Sequence, residues 1–285
     1  MSSEGKGAGK VALVTGGSSG IGEQTALGLL RAGFTTYAVA RRVDRMAGLE
    51  AEGVHTFAMD VTAEDSMVAG IERIIAEQGR IDVLVNNAGY GSYGAVEDVP
   101  LEEARRQFEV NLFGLARLVQ LVTPHMREQA VHHKDGGRII NISSIGAVIY
   151  EPFGAWYHAT KFAVDGFSDS LRVELRPFGI DVVIIHPAGI VTEWNEIART
   201  SLVERSKDGV YAASAVKAAK AMESVDNPRL SSGPEVVAKT IVKAATARRP
   251  RSRYATGKGA STVMTLRRAL PDRAFDAIMT RRYIE

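Results

Sequence analysis

The chain of 285 residues contains no cysteine, which excludes disulfides, thiolate catalysis and cysteine-held metal and fits a reducing cytoplasm as its expected location. It has no apolar run of roughly 18 residues, so no membrane span is expected. Excess charge of one sign is also scarce. The formal net charge is +2, and basic residues are scattered except in ARRPRSR (Ala247 to Arg253) and near the C-terminus, so the one-faced basic footprint of a nucleic-acid site is missing. The first nine residues, MSSEGKGAG, lack the apolar core of a secretory signal and read as a flexible tail. Nothing between residues 10 and 190 resembles a linker, and no repeat is present, so a single domain is expected over 10–285. His132 and His133 fall in a polar HHKDGG turn, and His158 and His186 lack partners at ligand spacing, so no metal site is expected.

What the chain does have is hydrophobic residues, 45% of the total, enough for a sizeable core. From Lys10, short β-branched runs alternate with longer amphipathic stretches: VALVT before Gly20 to Ala32, TTYAVA before Asp44 to Glu52, and VHTFAM before a helix opening at Thr62. Thr62 and Asp65 resemble a capping box with aspartate in place of glutamate. The alternation continues through IDVLVNN, a long helix from Leu101 to Gln129, GRIINIS, a helix from Gly154 to Arg176, and IDVVIIH. This rhythm predicts an α/β fold, a parallel sheet with helices on both faces. Residues 193–233 are polar, alanine-rich and helical, and read as a cap over one end of the sheet. A helix from Glu235 to Ala247, a strand from Ser252 to Thr256 and a basic tail helix over 262–285 complete the expected order.

The glycine-rich TGGSSGIG, Thr15 to Gly22, follows the first strand and opens a helix. In that context glycines allow a tight turn and close approach to a pyrophosphate, whose charge meets free N–H groups at the helix N-terminus. Gly16, Ser18, Ser19, Gly20, Ile21 and Gly22 are the candidate contacts. A dinucleotide fold that binds NAD places a carboxylate at the end of its second strand, but this chain has Ala40-Arg41-Arg42 there. Guanidinium groups can hold a 2′-phosphate by paired charge-assisted hydrogen bonds, so Arg41 and Arg42 point to NADP(H). The alternative is that both arginines are solvated and Asp44 is the ribose ligand, which would suit NAD(H).

Tyr157 and Lys161 stand four residues apart, on one face if helical, with Ser144 thirteen residues before the tyrosine. A phenol beside an ammonium can work as an acid. Tyr254 and Lys258 repeat the spacing, but with a glycine between them and no serine thirteen residues upstream.

Taken together, these residues resemble the short-chain dehydrogenase/reductases in their compact, single-domain form, over about Lys10 to Trp194 and more loosely to the end. The matching pieces are TGGSSGIG, Asp60-Val61, NNAG at Asn86 to Gly89, Asn111 in EVNLFG, Ser144 in NISS, YHATK at Tyr157 and PAGIVT at Pro187. The resemblance implies a doubly wound Rossmann-type fold with a seven-stranded parallel sheet and a small helical substrate cap. It also implies reversible hydride transfer between a nicotinamide and a ketone, aldehyde or secondary alcohol. Tyr157 would exchange the proton, Ser144 hydrogen-bond the substrate oxygen, and Lys161 bind the nicotinamide ribose and, together with an oxidised nicotinamide ring, hold the tyrosine's pKa down toward 7 or 8, at roughly 3 to 4 kcal/mol. Asn111 would hold a water in a proton relay. Asp60 and Val61 would contact adenine, and Asn87, Ala88 and Gly89 the adenosine-ribose side. Pro187, Gly189, Ile190 and Thr192 would lie along the nicotinamide, with Ala188, where the family has glycine, adding a methyl near the carboxamide. Strand alternation is expected to turn Ser143 away from Ser144.

The substrate is expected to touch Ser144, Tyr157, Tyr90, Tyr93, Tyr150 and Trp194, with Ile149, Phe153 and Trp156 nearby. This largely apolar set favours a hydrophobic small molecule. Relatives are usually homodimers or homotetramers. The rival readings are a nucleotide-dependent epimerase or dehydratase, whose glycine motif and length differ, and a non-catalytic NADP(H)-binding sensor, which would need no proton donor.

Overall fold

A computed structural model describes residues 5–132, 136–227 and 229–285. Residues 1–4 of the expected tail and His133 of the HHKDGG turn lie outside the described residues. Seven strands form one sheet: β1 (Val11–Thr15), β2 (Thr35–Ala40), β3 (His55–Ala58), β4 (Val83–Asn86), β5 (Arg138–Ile142), β6 (Asp181–Pro187) and β7 (Arg253–Thr256), in the order β3-β2-β1-β4-β5-β6-β7. Every pairing is parallel, with Leu13 opposite both Tyr37 and Leu84, and Ile140 opposite Val85 and Val183. The central strands are apolar without alternation because helices cover both faces: VALVT of β1 is buried throughout.

On one face lie α3 (Glu64–Gln78), α4 (Leu101–Phe108), α5 (Gly114–His132) and α6 (Ala155–Leu175), whose Ile71, Ile74, Leu118, Val122, Val164 and Leu171 meet Leu13, Tyr37, Leu84 and Ile139. On the other lie α1 (Gly20–Arg31) and α9 (Pro234–Thr246), whose Leu29, Val237 and Ile241 meet Val14, Val85, Ile140 and Ile185. A short α2 (Ala47–Ala51) follows β2, and α7 (Glu193–Ser206) and α8 (Ala212–Met222) form the cap. The chain closes with α10 (Ala260–Ala269) and α11 (Asp272–Tyr283). Strand order reverses between β1 and β4, so their carboxyl ends flank a crevice, where doubly wound sheets hold ligands.

Four expectations need correction. The helix expected from Leu101 to Gln129 is interrupted by a π-turn at Glu109–Phe113. The helix after β3 opens at Glu64 rather than Thr62, because Asp60 captures the N–H and hydroxyl of Thr62 at 2.9 and 2.8 Å and leaves no capping box. The single tail helix is two, since Pro271 forces Leu270 into an extended backbone. Residues 5–9 form turns instead of a loose tail: Gly7 donates to Ala32 O at 2.9 Å and is buried against the Phe34 ring.

Candidate active site

The glycine-rich turn is shaped by contacts that admit no side chain. A Cβ on Gly22 would lie 2.1 Å from Gly16 O, and one on Gly16, whose φ is 68°, would crowd Asn87 Nδ2 at 2.9 Å. Thr15 at the end of β1 accepts the N–H groups of Asn87 and Ala88, each at 3.0 Å, and Asn87 Nδ2 donates back to Thr15 O at 3.0 Å. Asn87 thus bolts the β1 turn to the end of β4. Deeper in, Asn86 Nδ2 donates to Asn141 and Asn141 Nδ2 to Ser168, both at 2.9 Å. The start of α1 has no side-chain cap, so its N–H groups stay available to an anion.

This turn opens into a cavity of about 400 Å³ that runs along the carboxyl ends of the strands. Its wall brings together Gly16, Ser18, Ser19, Gly20, Ile21, Arg41, Arg42, Asp60, Val61, Asn87, Ala88 and Gly89 with Ser144, Tyr157, Lys161, Pro187, Gly189, Ile190 and Thr192. Gly22 lies behind the wall, and its part is to let the turn close. Ala188 is buried away from the wall, its N–H donating to Thr256 O at 2.9 Å, so its methyl does not enter the cavity as expected. The residues present suit a dinucleotide: a glycine turn, an uncapped helix start and two arginines stand along one groove.

At the reacting end, α6 places Tyr157 and Lys161 on its buried face, each 8% exposed. Lys161 Nζ donates to Ile142 O at 2.9 Å and lies 5.8 Å from the Tyr157 ring centre. Ser144, extended after β5, accepts the N–H of Gly146 at 3.0 Å and hydrogen-bonds the Tyr157 hydroxyl. Ser143 also borders the cavity, and its hydroxyl donates to Lys161 O at 3.4 Å. Burial pushes the Tyr157 phenol up to about 12; the Ser144 hydrogen bond pulls it down, and the Glu151 charge adds to the rise. Burial also lowers Lys161 to about 8, with Asp165 opposing. The shift toward 7 or 8 expected for the phenol calls on an oxidised nicotinamide ring as well as on Lys161, and among the protein's own groups burial is the largest influence on it. The dry surroundings govern both groups, each favouring its neutral form.

Asn111 sits in the π-turn behind the cavity wall. Its Oδ1 accepts Tyr90 N–H at 3.0 Å, and its Nδ2 donates to Tyr90 O at 2.9 Å and Thr160 Oγ1 at 3.1 Å. The side chain ties α6 to the Tyr90–Tyr93 loop.

Of the expected substrate contacts, Tyr90, Tyr93 and Trp194 border the cavity with Ile149. Tyr93, Tyr157 and Trp194 form an aromatic cluster with ring centres 4.9 to 5.9 Å apart. Tyr150, Phe153 and Trp156 do not border the cavity. Tyr150 turns outward instead, donating to Asp276 at 2.7 Å and meeting the Phe275 ring edge-on.

Glu151, Glu193 and His158 are among the wall residues that had no sequence signal. Glu151 receives hydroxyls from Tyr93 and Tyr283, 58 and 132 residues away in sequence. Glu193 faces Arg42 at 3.8 Å and Arg45 at 3.0 Å. His158 fixes the loop after β5, its Nδ1 2.9 Å from Gly146 O and its Nε2 accepting Glu151 N–H at 3.1 Å. The tight spot at Gly91, where a Cβ would meet the Trp194 ring at 2.2 Å, could have been suspected from glycine in an otherwise aromatic loop.

The fold and this constellation define a short-chain dehydrogenase-type oxidoreductase, and the short chain dehydrogenase family profile matches residues 10–202. The chain belongs to that family. It is 34% identical to the probable short-chain type dehydrogenase/reductase VdlC of Helicobacter pylori over 94% of this chain and 96% of that protein. It is 38% identical to a 3-ketodihydrosphingosine reductase of Bacteroides thetaiotaomicron over 75% of this chain and 76% of that one. A short-chain dehydrogenase from Streptomyces avermitilis superposes with a TM-score of 0.77 at 31% identity, covering 95% of both chains. A metagenomic short-chain oxidoreductase solved in complex with NADP gives 0.67 at 26% identity, covering 89% of this chain and 97% of that one.

Proposed function

We propose that the protein is an NADP(H)-dependent oxidoreductase that interconverts a hydrophobic ketone or aldehyde and its alcohol, with Tyr157 as the proton donor and acceptor. The observation that carries this reading is the meeting of Ser144, Tyr157 and Lys161 in one cavity that continues past the glycine turn to Arg41 and Arg42. The bound nicotinamide would supply or take up the hydride. Tyr157 gives its proton to the carbonyl oxygen, and its high pKa keeps that proton in place at neutral pH. Ser144 can hydrogen-bond both the phenol and the developing alkoxide, and so steadies charge where it appears. Lys161, held by Ile142 O, would meet the ribose hydroxyls and restore the phenol's proton. Tyr93, Trp194, Ile149 and Val225 provide an apolar wall for the rest of the substrate. The similarity to a 3-ketodihydrosphingosine reductase and to a short-chain oxidoreductase solved in complex with NADP supports this reading.

The test is NADPH consumption with a set of hydrophobic ketones and aldehydes, comparing wild type with two single variants. Tyr157→Phe is expected to lower kcat by at least about two orders of magnitude while NADPH still binds. Tyr254→Phe, whose lost hydroxyl accepts Arg251 N–H at 3.0 Å away from the cavity wall, is expected to behave as wild type. Full activity in Tyr157→Phe would remove the tyrosine from the chemistry.

A further inference from the structure

The apolar end of the cavity contains one carboxylate that the hydride-transfer reading does not use. Glu151 borders the cavity with Tyr157, Tyr93, Trp194 and Ile149. Its Oε1 accepts the Tyr93 hydroxyl at 2.8 Å and its Oε2 accepts the Tyr283 hydroxyl at 2.9 Å. Its backbone N–H is fixed on His158 Nε2 at 3.1 Å, and the other ring nitrogen of that histidine meets Gly146 O at 2.9 Å. The side chain is therefore held at both oxygens and at its backbone, by groups from the loop after β4, from α6 and from α11.

Both oxygens are met by neutral phenols rather than by a cation, so these contacts orient the carboxylate without cancelling its charge. Each oxygen keeps acceptor capacity beyond its one phenol. The charge is felt at the reacting group, since Glu151 adds to the rise of both Tyr157 and Tyr93. The other acids on the wall are placed differently: Glu193 lies beside Arg42 and Arg45, and Asp60 is engaged by Thr62. A fixed negative charge in an apolar pocket selects ligands that bring a donor, above all a cationic one, and repels anions.

We infer that Glu151 is a specificity-determining residue that selects substrates carrying an ammonium group, and next best a hydroxyl, close to the reacting carbonyl, and that it rejects carboxylates. The inference rests on the proposed function for what the substrate does after binding, but the recognition itself does not require turnover.

Calorimetric titration therefore tests it directly, using decylammonium, decan-1-ol and decanoate as probes that share one alkyl chain. Decylammonium is expected to bind at least about tenfold more tightly than decanoate, with decan-1-ol between them. The net charge of +2 would favour decanoate if general attraction decided, so a preference for the cation has to be local. Glu151→Gln, which keeps partners for both tyrosines, is expected to bring the ammonium-to-carboxylate ratio close to one. Tyr283→Phe removes one phenol and leaves the charge, so it is expected to retain the preference. Equal binding of the three probes by wild type, an undiminished ratio in Glu151→Gln, or loss of the ratio in both variants alike would overturn the inference. Failure of the proposed function would show elsewhere, as NADPH consumption indifferent to Tyr157→Phe.

Discussion

At the scale of single residues, Lys161 is a cost to the fold that its site retains. Its ammonium is desolvated among Tyr157, Ile142 and the core of α6, and its pKa falls from 10.5 to about 8. Below pH 8 the folded chain must carry a charge that the unfolded chain would leave in water, so the penalty is full there. Between 8 and 10.5 the folded form loses its proton first and the penalty fades. Lys161→Met, similar in length and without charge, is expected to raise stability by about 1 to 3 kcal/mol at pH 7 after the lost hydrogen bond is deducted. The gain should shrink as pH rises from 8 toward 10.5. Tyr157, shifted upward, contributes its own slope only above pH 10, where stability falls as the unfolded phenol ionises. Thermal unfolding of both proteins from pH 7 to 10 checks this, and parallel curves would show that burial does not penalise the lysine. Tyr157, Ser144 and Lys161 were legible in sequence because helical spacing and a single strand end bring them together. Glu151 was not, since its contacts come from distant segments.

At the scale of elements, the π-turn at Glu109–Phe113 decides what the Tyr90–Tyr93 loop can be. The added backbone residue lets Asn111 face β4, where it clasps Tyr90 N–H and O and reaches Thr160. Gly114 follows because the helix then passes so close to Val61 that a Cβ would sit 2.2 Å from its carbonyl oxygen. Asn111→Ala leaves the Tyr90 N–H without its acceptor, although Thr160 keeps its bond to Tyr157 O, and is expected to cost about 1 to 3 kcal/mol in urea unfolding. Because Tyr90 and Tyr93 border the cavity, KM for the carbonyl substrate should rise with it. Unchanged stability with a fall in kcat alone would return Asn111 to the proton-relay role that family resemblance suggests. Here sequence pattern reached the helix but not its interruption, because an apolar period of 3.6 continues across one inserted residue. The same limit applied at Thr62, where Asp60 outcompeted a capping box two residues on, whereas the break at Pro271 was open to view in the proline itself.

At the scale of the whole molecule, the groove joins parts of the chain that no local pattern relates. Arg41 and Arg42 follow β2, the glycine turn follows β1, and Glu193 opens the cap at α7, yet all border one cavity. The sheet order was legible because alternating strands and helices admit few topologies; the electrostatics were not, because they depend on which distant charges the fold brings together. Arg42 Nη2 lies 3.8 Å from Glu193, both side chains about half exposed, and Arg45 holds the same carboxylate at 3.0 and 3.1 Å. Arg41 is thus expected to be the stronger attractor for a 2′-phosphate, with Glu193 tempering Arg42. A charge-assisted hydrogen bond to phosphate contributes roughly 1.5 to 3 kcal/mol, or about 10- to 150-fold in affinity. NADPH is therefore expected to bind more tightly than NADH, with the gap narrowing as salt screens the exposed arginines. Arg41→Ala should reduce the preference by about tenfold or more, whereas Glu193→Gln should increase it by no more than about fivefold, the scale of an exposed ion pair. Calorimetric titration of both cofactors at low and high ionic strength, with both variants, decides the matter. Tighter NADH binding by wild type would shift the assignment to Asp44 as a ribose ligand, and a preference untouched in Arg41→Ala would place the phosphate on Arg42 instead.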